Sequence, residues 1–439
     1  MKLYSAPHTK YKDSDNEWDE FIPADWDEKR VKDIFNLITD TAPENNDFEL
    51  LSLYASIGVR PRKEMEQRGN KAVTTDGYWM VKKGDIVVNK LLAWMGAIGL
   101  SEYEGVTSPA YDILRKASDQ VDERFYTYLF RTEKSQAIFK RHSRGIMDVR
   151  LRLYFDKFGA ITVPFPSISE QKKIAHYLDT KTAQIDRQID LLTQKAQRYE
   201  ELKRSLINET VTRGLDKSVP MKDSGIDWIG EIPKHWEVTK LSKTLKKLTN
   251  GYVGPTREIM KESGVPYIQG IHIKDNSVKF TPDGYYYVDR EWSKKHPKSI
   301  LKEDDILVVQ TGSIGQVGIV PKEFEGANCH ALLILRVIDS CFLAKYLLYS
   351  LVSQCGFISL HRITTGGILL HINGSKLKGV EVVIPPLEEQ LKISSYLDTK
   401  TAQIDQIIQT INTQIEKLQE LRKTLINDVV TGKIKVTEN

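Results

Sequence analysis

An α+β fold of two pseudo-repeated modules of mixed strands and helices, joined by two long helices forming an antiparallel coiled coil, is predicted by three observations on this 439-residue sequence. A ten-residue string occurs twice, apolar side chains follow each copy at seven-residue spacing, and a tryptophan-bearing motif stands upstream of each copy. The string is YLDTKTAQID, from Tyr177 to Asp186 and again from Tyr396 to Asp405, an offset of 219. The same offset relates Glu170-Gln171 to Glu389-Gln390 and Ser205-Leu206-Ile207-Asn208 to Thr424-Leu425-Ile426-Asn427. Upstream, Asp13-Ser14, Trp18, Ile22-Pro23 and Trp26 recur as Asp223-Ser224, Trp228, Ile232-Pro233 and Trp236, at an offset of 210. The second half therefore carries net insertions between its lead motif and its helix. The plan is variable, repeat, variable, repeat, with modules at 1–163, 164–214, 215–382 and 383–439.

The repeated elements read as helices with an a/d seam. In the first copy Leu178, Ile185, Leu192, Tyr199 and Leu206 are spaced by seven, with Thr182, Ile189 and Ala196 in the companion position. In the second, Leu397, Ile404, Ile411, Leu418 and Leu425 are accompanied by Thr401, Ile408 and Ile415. Ser167 to Glu170 has capping-box spacing after Pro166, and Pro385-Pro386 precedes an acidic first turn of Glu388 and Glu389. Stops are expected near Gly214 and Gly432, giving helices of about 40 residues, ~60 Å long at 1.5 Å per residue. Such a stripe says that a helix packs against a helix and implies no cofactor. The first helix leaves one variable module and reaches the other, so the second most simply runs back along it. Two like helices in antiparallel register imply a pseudo-twofold axis and inverted modules, suited to two half-sites on a duplex.

The variable modules mix short strands with one helix each, expected at Asp122–His142 and Leu343–His361. Val81 to Val88 and Leu301 to Val308 both read as a turn followed by an apolar strand, each leading into a glycine-bearing loop, Asn89 to Gly99 and Gln310 to Gln316. Glycines there allow backbone to approach a phosphate or base. In the first module the candidate DNA-binding residues are Arg60, Arg62, Lys63, Arg68, Asn89, Lys90, Arg141 and Arg144, within clusters that also hold Lys140, Arg150 and Arg152. In the second they are Lys294, Lys295, Gln310, Thr311, Ser313, Gln316 and Arg362, beside Lys298 and His361. One basic cluster is ordinary solvated surface; its recurrence in both modules favours phosphate neutralisation, with Asn, Gln and Arg available for base edges.

With 40% hydrophobic and 28% charged residues the chain has the composition of a globular protein, and a net charge of +4 requires any DNA-binding face to be local. No run of about 18 apolar residues occurs, so the cytoplasm is the expected compartment and no membrane contact is expected. Cys329, Cys341 and Cys355 match neither a CxxC pair nor a zinc pattern and are expected to be reduced, mostly buried thiols. Walker-type phosphate loops, methyltransferase Asn/Asp-Pro-Pro-Tyr/Phe tetrapeptides and paired-carboxylate nuclease motifs are absent, Pro282-Asp283 being the nearest hint of the last.

Taken together, WIGEIPKHW (228–236), IPPLEEQ (384–390) and the duplicated YLDTKTAQID resemble the specificity subunits (S subunits) of type I restriction-modification systems over essentially the whole chain. The first copy departs from the pattern, with WDEFIPADW (18–26) and VPFPSISEQ (163–171), but keeps the repeat register. The resemblance implies two target-recognition domains, each reading half of a bipartite, asymmetric target in double-stranded DNA. It implies two methyltransferase subunits and motor-nuclease restriction subunits as partners, adenine-N6 methylation and ATP-dependent cleavage by the assembled complex, and S-adenosylmethionine, ATP and Mg held by those partners. The chain itself is then non-catalytic, with no catalytic residue, cofactor or metal of its own. The alternative is a coiled-coil protein-interaction adaptor without DNA readout, which accounts for the helices but not for two different domains on one frame. An adaptor predicts no salt-dependent DNA binding, whereas a specificity subunit predicts steep loss of affinity with salt.

Overall fold

The structure, a computed structural model, describes residues 4–6, 8, 10–54, 57–64, 75–145, 151–281, 286–367 and 370–437. It comprises two compact units: Met1–Leu192 with Thr413–Asn439, and Thr193–Asn412. Pro282 and Asp283 lie outside the described residues.

The first unit is built on an antiparallel sheet of β1 (Phe35–Ile38), β2 (Ile86–Asn89), β3 (Ile98–Leu100) and β4 (Tyr111–Lys116) in the order β3-β2-β4-β1. All four residues of β2 are buried, so both faces of the strand are covered. Alternation divides them: Ile86 and Val88 enter the main core with the helices, while Val87 joins Leu51, Leu53, Val59, Val81 and Ile113 on the opposite side. The helix expected over 122–142 is two helices, α1 (Glu123–Phe130) and α2 (Glu133–His142). The break falls at Thr132, whose extended backbone and hydroxyl, accepting from the Ser135 N–H, start a new helix. The long helix α3 (Ile168–Arg213) follows.

The second unit repeats this frame. Its strands β5 (Leu245–Asn250), β6 (Ile306–Val309), β7 (Val317–Ile319) and β8 (Leu332–Val337) run in the order β5-β8-β6-β7. Two short strands, Ser277–Val278 and Ile273–Lys274, extend the sheet beyond β7, within the stretch where the repeat offset shows net insertion. The helix expected over 343–361 is likewise divided into α4 (Ala344–Val352) and α5 (Gln354–Arg362), at Ser353, whose hydroxyl accepts from the Gly356 N–H. The second long helix is α6 (Leu387–Val430).

The turn before each central strand is the same device. Gly84 and Asp304 take the left-handed conformation, and the next residue, Asp85 or Asp305, is buried and accepts from the N–H of Lys82 or Lys302. Both carboxylates are met bidentately by an arginine of the neighbouring strand, Arg115 at 2.8 and 2.7 Å and Arg336 at 2.6 and 2.5 Å.

Within each unit the helix segments run antiparallel. In the first, Ile174, Tyr177 and Leu178 share a core with Leu425, Ile426, Val429 and Val430, and Asp186 pairs with Arg422 at 2.9 Å. In the second, Ile207 and Val211 share a core with Ile393 and Leu397, and Asp405 pairs with Lys203 at 2.6 Å. Leu178, Ile185, Leu397, Ile404 and Ile411 are buried, and Ile189, Leu192, Tyr199, Leu206, Ile408, Ile415, Leu418 and Leu425 are half-buried. The helices stop at Gly214 and Gly432, both left-handed. A Cβ built at Gly214 would lie 3.0 Å from the Trp236 ring, and one at Gly432 would lie 2.5 Å from Pro23 and 3.2 Å from Trp26. Each lead-motif Pro-x-x-Trp is thus the seat of a helix C-terminus. The other motif tryptophans, Trp18 and Trp228, donate from Nε1 to Ser135 on α2 and Ser359 on α5.

The three cysteines are free thiols. Cys329 is buried and Cys355 half-buried, but Cys341 is exposed, against the expectation of burial, because it stands in the turn before α4.

Candidate nucleic-acid interface

In the first unit the loop Lys90–Gly96 links β2 to β3 and is closed on itself. The Asn89 carboxamide oxygen accepts from the Leu91 N–H at 3.0 Å, and the Leu92 carbonyl accepts from Met95 and Ala97 N–H at 2.9 and 3.1 Å. Gly96, with φ 84°, lets the loop abut α2, where a Cβ would lie 2.9 Å from Gln136 Nε2. Lys140 on α2 stands 5.3 Å from the Trp94 ring centroid. Beyond α2, Arg144 and Arg152 bridge one another through backbone hydrogen bonds, and the Leu153 N–H donates to the Lys90 carbonyl at 2.9 Å. Lys90, Lys140, Arg144 and Arg152 therefore flank one surface with Trp94 and the exposed Leu91, Leu92, Met95 and Tyr154, while Arg141 turns to Glu17 of the lead motif.

The ion pairs on this surface are of two kinds. Lys90 is 3.4 Å from Asp112, whose carboxyl is raised above its ordinary range by burial, against the opposing pull of the lysine. Arg144 with Asp156 (3.7 Å) is a largely exposed pair, worth little in water and readily exchanged for a phosphate, whereas Arg141 (2.9 Å) shares the half-buried Glu17 with His142.

The second unit places its corresponding loop in the same way. Gly315, with φ 82°, abuts the last turn of α5, a Cβ there lying 3.0 Å from His361 and 3.6 Å from Phe357. Thr311 Oγ1 is 2.9 Å from His371 Nδ1, Ser313 is exposed, and Arg362 lies 4.3 Å over the Trp228 ring. Thr311, Ser313, His361, Arg362 and His371 thus lie around one loop-on-helix surface. Its loop tip is polar where that of the first unit is apolar, with the exposed Phe357 ring of α5 beside it.

Other expected residues are placed elsewhere. Asn89 and Gln310 end buried strands with 8% and 3% exposure, so they are inside rather than on the surface; Asn89 caps its loop, and the Gln310 carbonyl accepts from Ile372. The Gln316 amide is turned inward onto the Ile273 carbonyl. Gly96 and Gly315 serve contact with a helix, and only Gly312, also left-handed, has open space about it in the second loop. Arg60 lies against Tyr103, donating to its hydroxyl at 3.3 Å, and Lys63 pairs with Glu49; with Arg62 they make a separate basic group at the hairpin of Leu51–Tyr54 and Gly58–Pro61. Lys294 and Lys295 ride on the short helix Arg290–Lys295, anchored by Trp292 against Tyr252 and Tyr267, with Lys294 paired to Glu291 at 2.8 Å. Arg68 and Arg150 lie outside the described residues. The sequence reading missed Trp94, Phe357 and His371; the last meets Thr311 across 60 residues of chain, for which no local pattern exists.

A groove of about 1000 Å³ in the first unit separates α1 and α2 from the long-helix segments and is lined by Arg124, Arg131, Asp179, Asp186, Arg422 and Lys423. Its charges are mixed and internally paired, Asp179 with Arg124 and with the Tyr128 hydroxyl, whose pKa burial pushes up to about 12. Asp398 takes the same position in the second unit, bonding the Tyr349 hydroxyl and Lys345. The identical aspartates of the repeated string thereby fix each domain to its helix.

Two loop-on-helix surfaces of different chemistry, carried on one repeated frame, define a two-module recognition protein. The chain belongs to the type I restriction modification DNA specificity domain family, matched in two copies at residues 23–201 and 233–417. It is 26% identical over 449 aligned residues to the MjaX type I restriction enzyme specificity subunit of Methanocaldococcus jannaschii, itself a provisional assignment, covering 94% of this chain and 95% of that one. Its fold is similar to a chain solved in work on complex assembly and conformational transition of the type I R-M system (TM-score 0.73, 16% identity, 94% and 99% of the two chains). It is also similar to the HsdS subunit of Thermoanaerobacter tengcongensis (TM-score 0.55, 15% identity, 94% and 98% covered). Among the described residues no helix is long and apolar enough to cross a membrane.

Proposed function

We propose that this protein is the sequence-specific DNA-binding subunit of a type I restriction-modification enzyme, each unit reading one half of a bipartite, asymmetric target in duplex DNA. The observation that carries this is the pairing of two DNA specificity domains on one repeated frame with unlike reading surfaces. Lys90, Arg141, Arg144, Thr311, Ser313 and Arg362 are the side chains assigned to DNA, with Arg60, Arg62 and Lys63 as a second phosphate-binding group. The chain acts in the cytoplasm and directs others' chemistry: methyltransferase subunits supply adenine-N6 methylation with S-adenosylmethionine, and motor-nuclease subunits supply ATP- and Mg-dependent cleavage. The test is co-expression with the partner methyltransferase in a methylation-free host, followed by mapping of N6-methyladenine. A bipartite motif with a fixed unspecified spacer, lost when this protein is omitted, is the expected result; a well-formed complex that yields no motif would support the adaptor.

Two copies of the methyltransferase are assigned to the long helices. Leu202 and Leu421 occupy equivalent repeat positions and are 52% and 54% exposed, each three residues beyond a seam position, Tyr199 or Leu418, at the edge of the seam. A leucine held in water at both repeat-related positions suits one partner copy apiece. Leu202→Asp and Leu421→Asp are each expected to reduce the bound methyltransferase from two copies to one in native mass spectrometry, with helicity unchanged.

A further inference from the structure

The reading loops differ in one respect that charge does not explain. At the first unit's loop, Leu92 and Met95 are 44% and 53% exposed, whereas the second unit presents Thr311, Gly312 and Ser313. The apolar tip is not a floppy excursion. It is closed by the Met95 and Ala97 N–H bonds to the Leu92 carbonyl, by the Trp94 Nε1 bond to the Leu91 carbonyl at 3.0 Å, and by Gly96 against α2. Lys90, Lys140, Arg144 and Arg152 flank it, so an occupant must be polyanionic at its rim and apolar where the tip enters. A base step of duplex DNA meets both requirements, its stacked faces being apolar and its backbone anionic.

We infer that Leu92 and Met95 form a preformed wedge that enters a base step of the half-site read by the first unit and unstacks it, whereas the second unit's loop, tipped by Thr311, Gly312 and Ser313, does not insert. This rests on the DNA-reading function proposed above. Insertion makes the step's deformability part of the specificity, so flexible pyrimidine–purine steps are preferred there without a hydrogen bond to either base.

The experiment uses the full chain with its methyltransferase and duplexes of the mapped target carrying 2-aminopurine at successive positions of both half-sites. Apart from the adenines that the methyltransferase itself flips out of the stack, the expected result is a several-fold fluorescence rise at one step of the half-site read by the first unit. Leu92→Ser with Met95→Ser should abolish that rise and weaken target binding about tenfold, the scale of a lost insertion contact, while Met95→Leu should retain both. Tight, sequence-specific binding with 2-aminopurine quenched at every position other than the flipped adenines would overturn the wedge and leave DNA reading intact. Serine variants that lose the methyltransferase instead of the fluorescence change would overturn it in favour of a protein contact. Absence of sequence-specific binding by the unaltered protein would overturn DNA reading itself, and the wedge with it.

Discussion

Gln171→Ala is expected to destabilise the first unit by about 2–6 kcal/mol, because two buried backbone groups, the Asp122 N–H and the Pro166 carbonyl, each lose a partner worth about 1–3 kcal/mol when left unmet. The fully buried Gln171 carboxamide donates to the Gln120 and Pro166 carbonyls at 3.1 and 2.8 Å and accepts from the Asp122 N–H at 2.9 Å. One side chain thus ties the strand leading into α3, the start of α1 and the first turn of α3. Gln390 repeats this with the Cys341 and Pro385 carbonyls and the Leu343 N–H at 3.0, 2.9 and 2.9 Å, so Gln390→Ala should affect the second unit equally. Gln→Glu at either position should be no milder, since a carboxylate oxygen would then face two carbonyl oxygens. Denaturant unfolding measures the loss. Hydrogen exchange localises it, with the Asp122 or Leu343 amide expected to lose protection first; a change below about 1 kcal/mol would show that water takes over the bracket.

Arg336→Met is expected to cost about 3–5 kcal/mol, the penalty for leaving a buried carboxylate without its charge partner. Asp305 is fully buried, and after the substitution it would keep only the Lys302 N–H among the bonds that now hold it. Adding Asp305→Leu should recover much of the loss, because the pair's benefit is offset by the desolvation of both ions. Arg115→Met in the first unit should cost less, its side chain being more exposed than that of Arg336. The comparison of single and double variants by unfolding is the measurement; a double variant as unstable as Arg336→Met would mean that packing, not charge, dominates.

The long helices, their seam and their glycine stops were legible because periodicity and caps are local signals. So were the turns before β2 and β6, where an apolar run follows a polar turn. The breaks at Thr132 and Ser353 were not, since a hydroxyl residue within an apolar run reads alike whether it bonds back into a helix or starts a new one. Among the cations expected at the candidate interface, Arg144 and Arg362 are exposed, whereas Lys90 is half-buried against Asp112, a difference that sequence does not signal. Asn89, Gln310 and Gln316 could not be told from surface residues, because a polar side chain just after a strand can cap the chain or face solvent with the same spacing. Thr311 and His371, or Lys140 and Trp94, become neighbours only through the sheet order and helix packing.

The backbone of Tyr4–Ala6 pairs antiparallel with Lys435–Thr437 in the first unit, at the place where the second unit runs on unbroken from Gly214 to Trp236. Gly432 sits on Trp26 as Gly214 sits on Trp236, so the pairing of Tyr4–Ala6 with Lys435–Thr437 holds two separate segments where the second unit has one continuous segment. A circular permutant, with a short linker joining residue 437 to residue 4 and new ends opened in the exposed stretch 215–218, is expected to fold and to direct methylation to the unchanged target. Such a chain would carry its two recognition domains in the opposite genetic order while reading the same word on DNA.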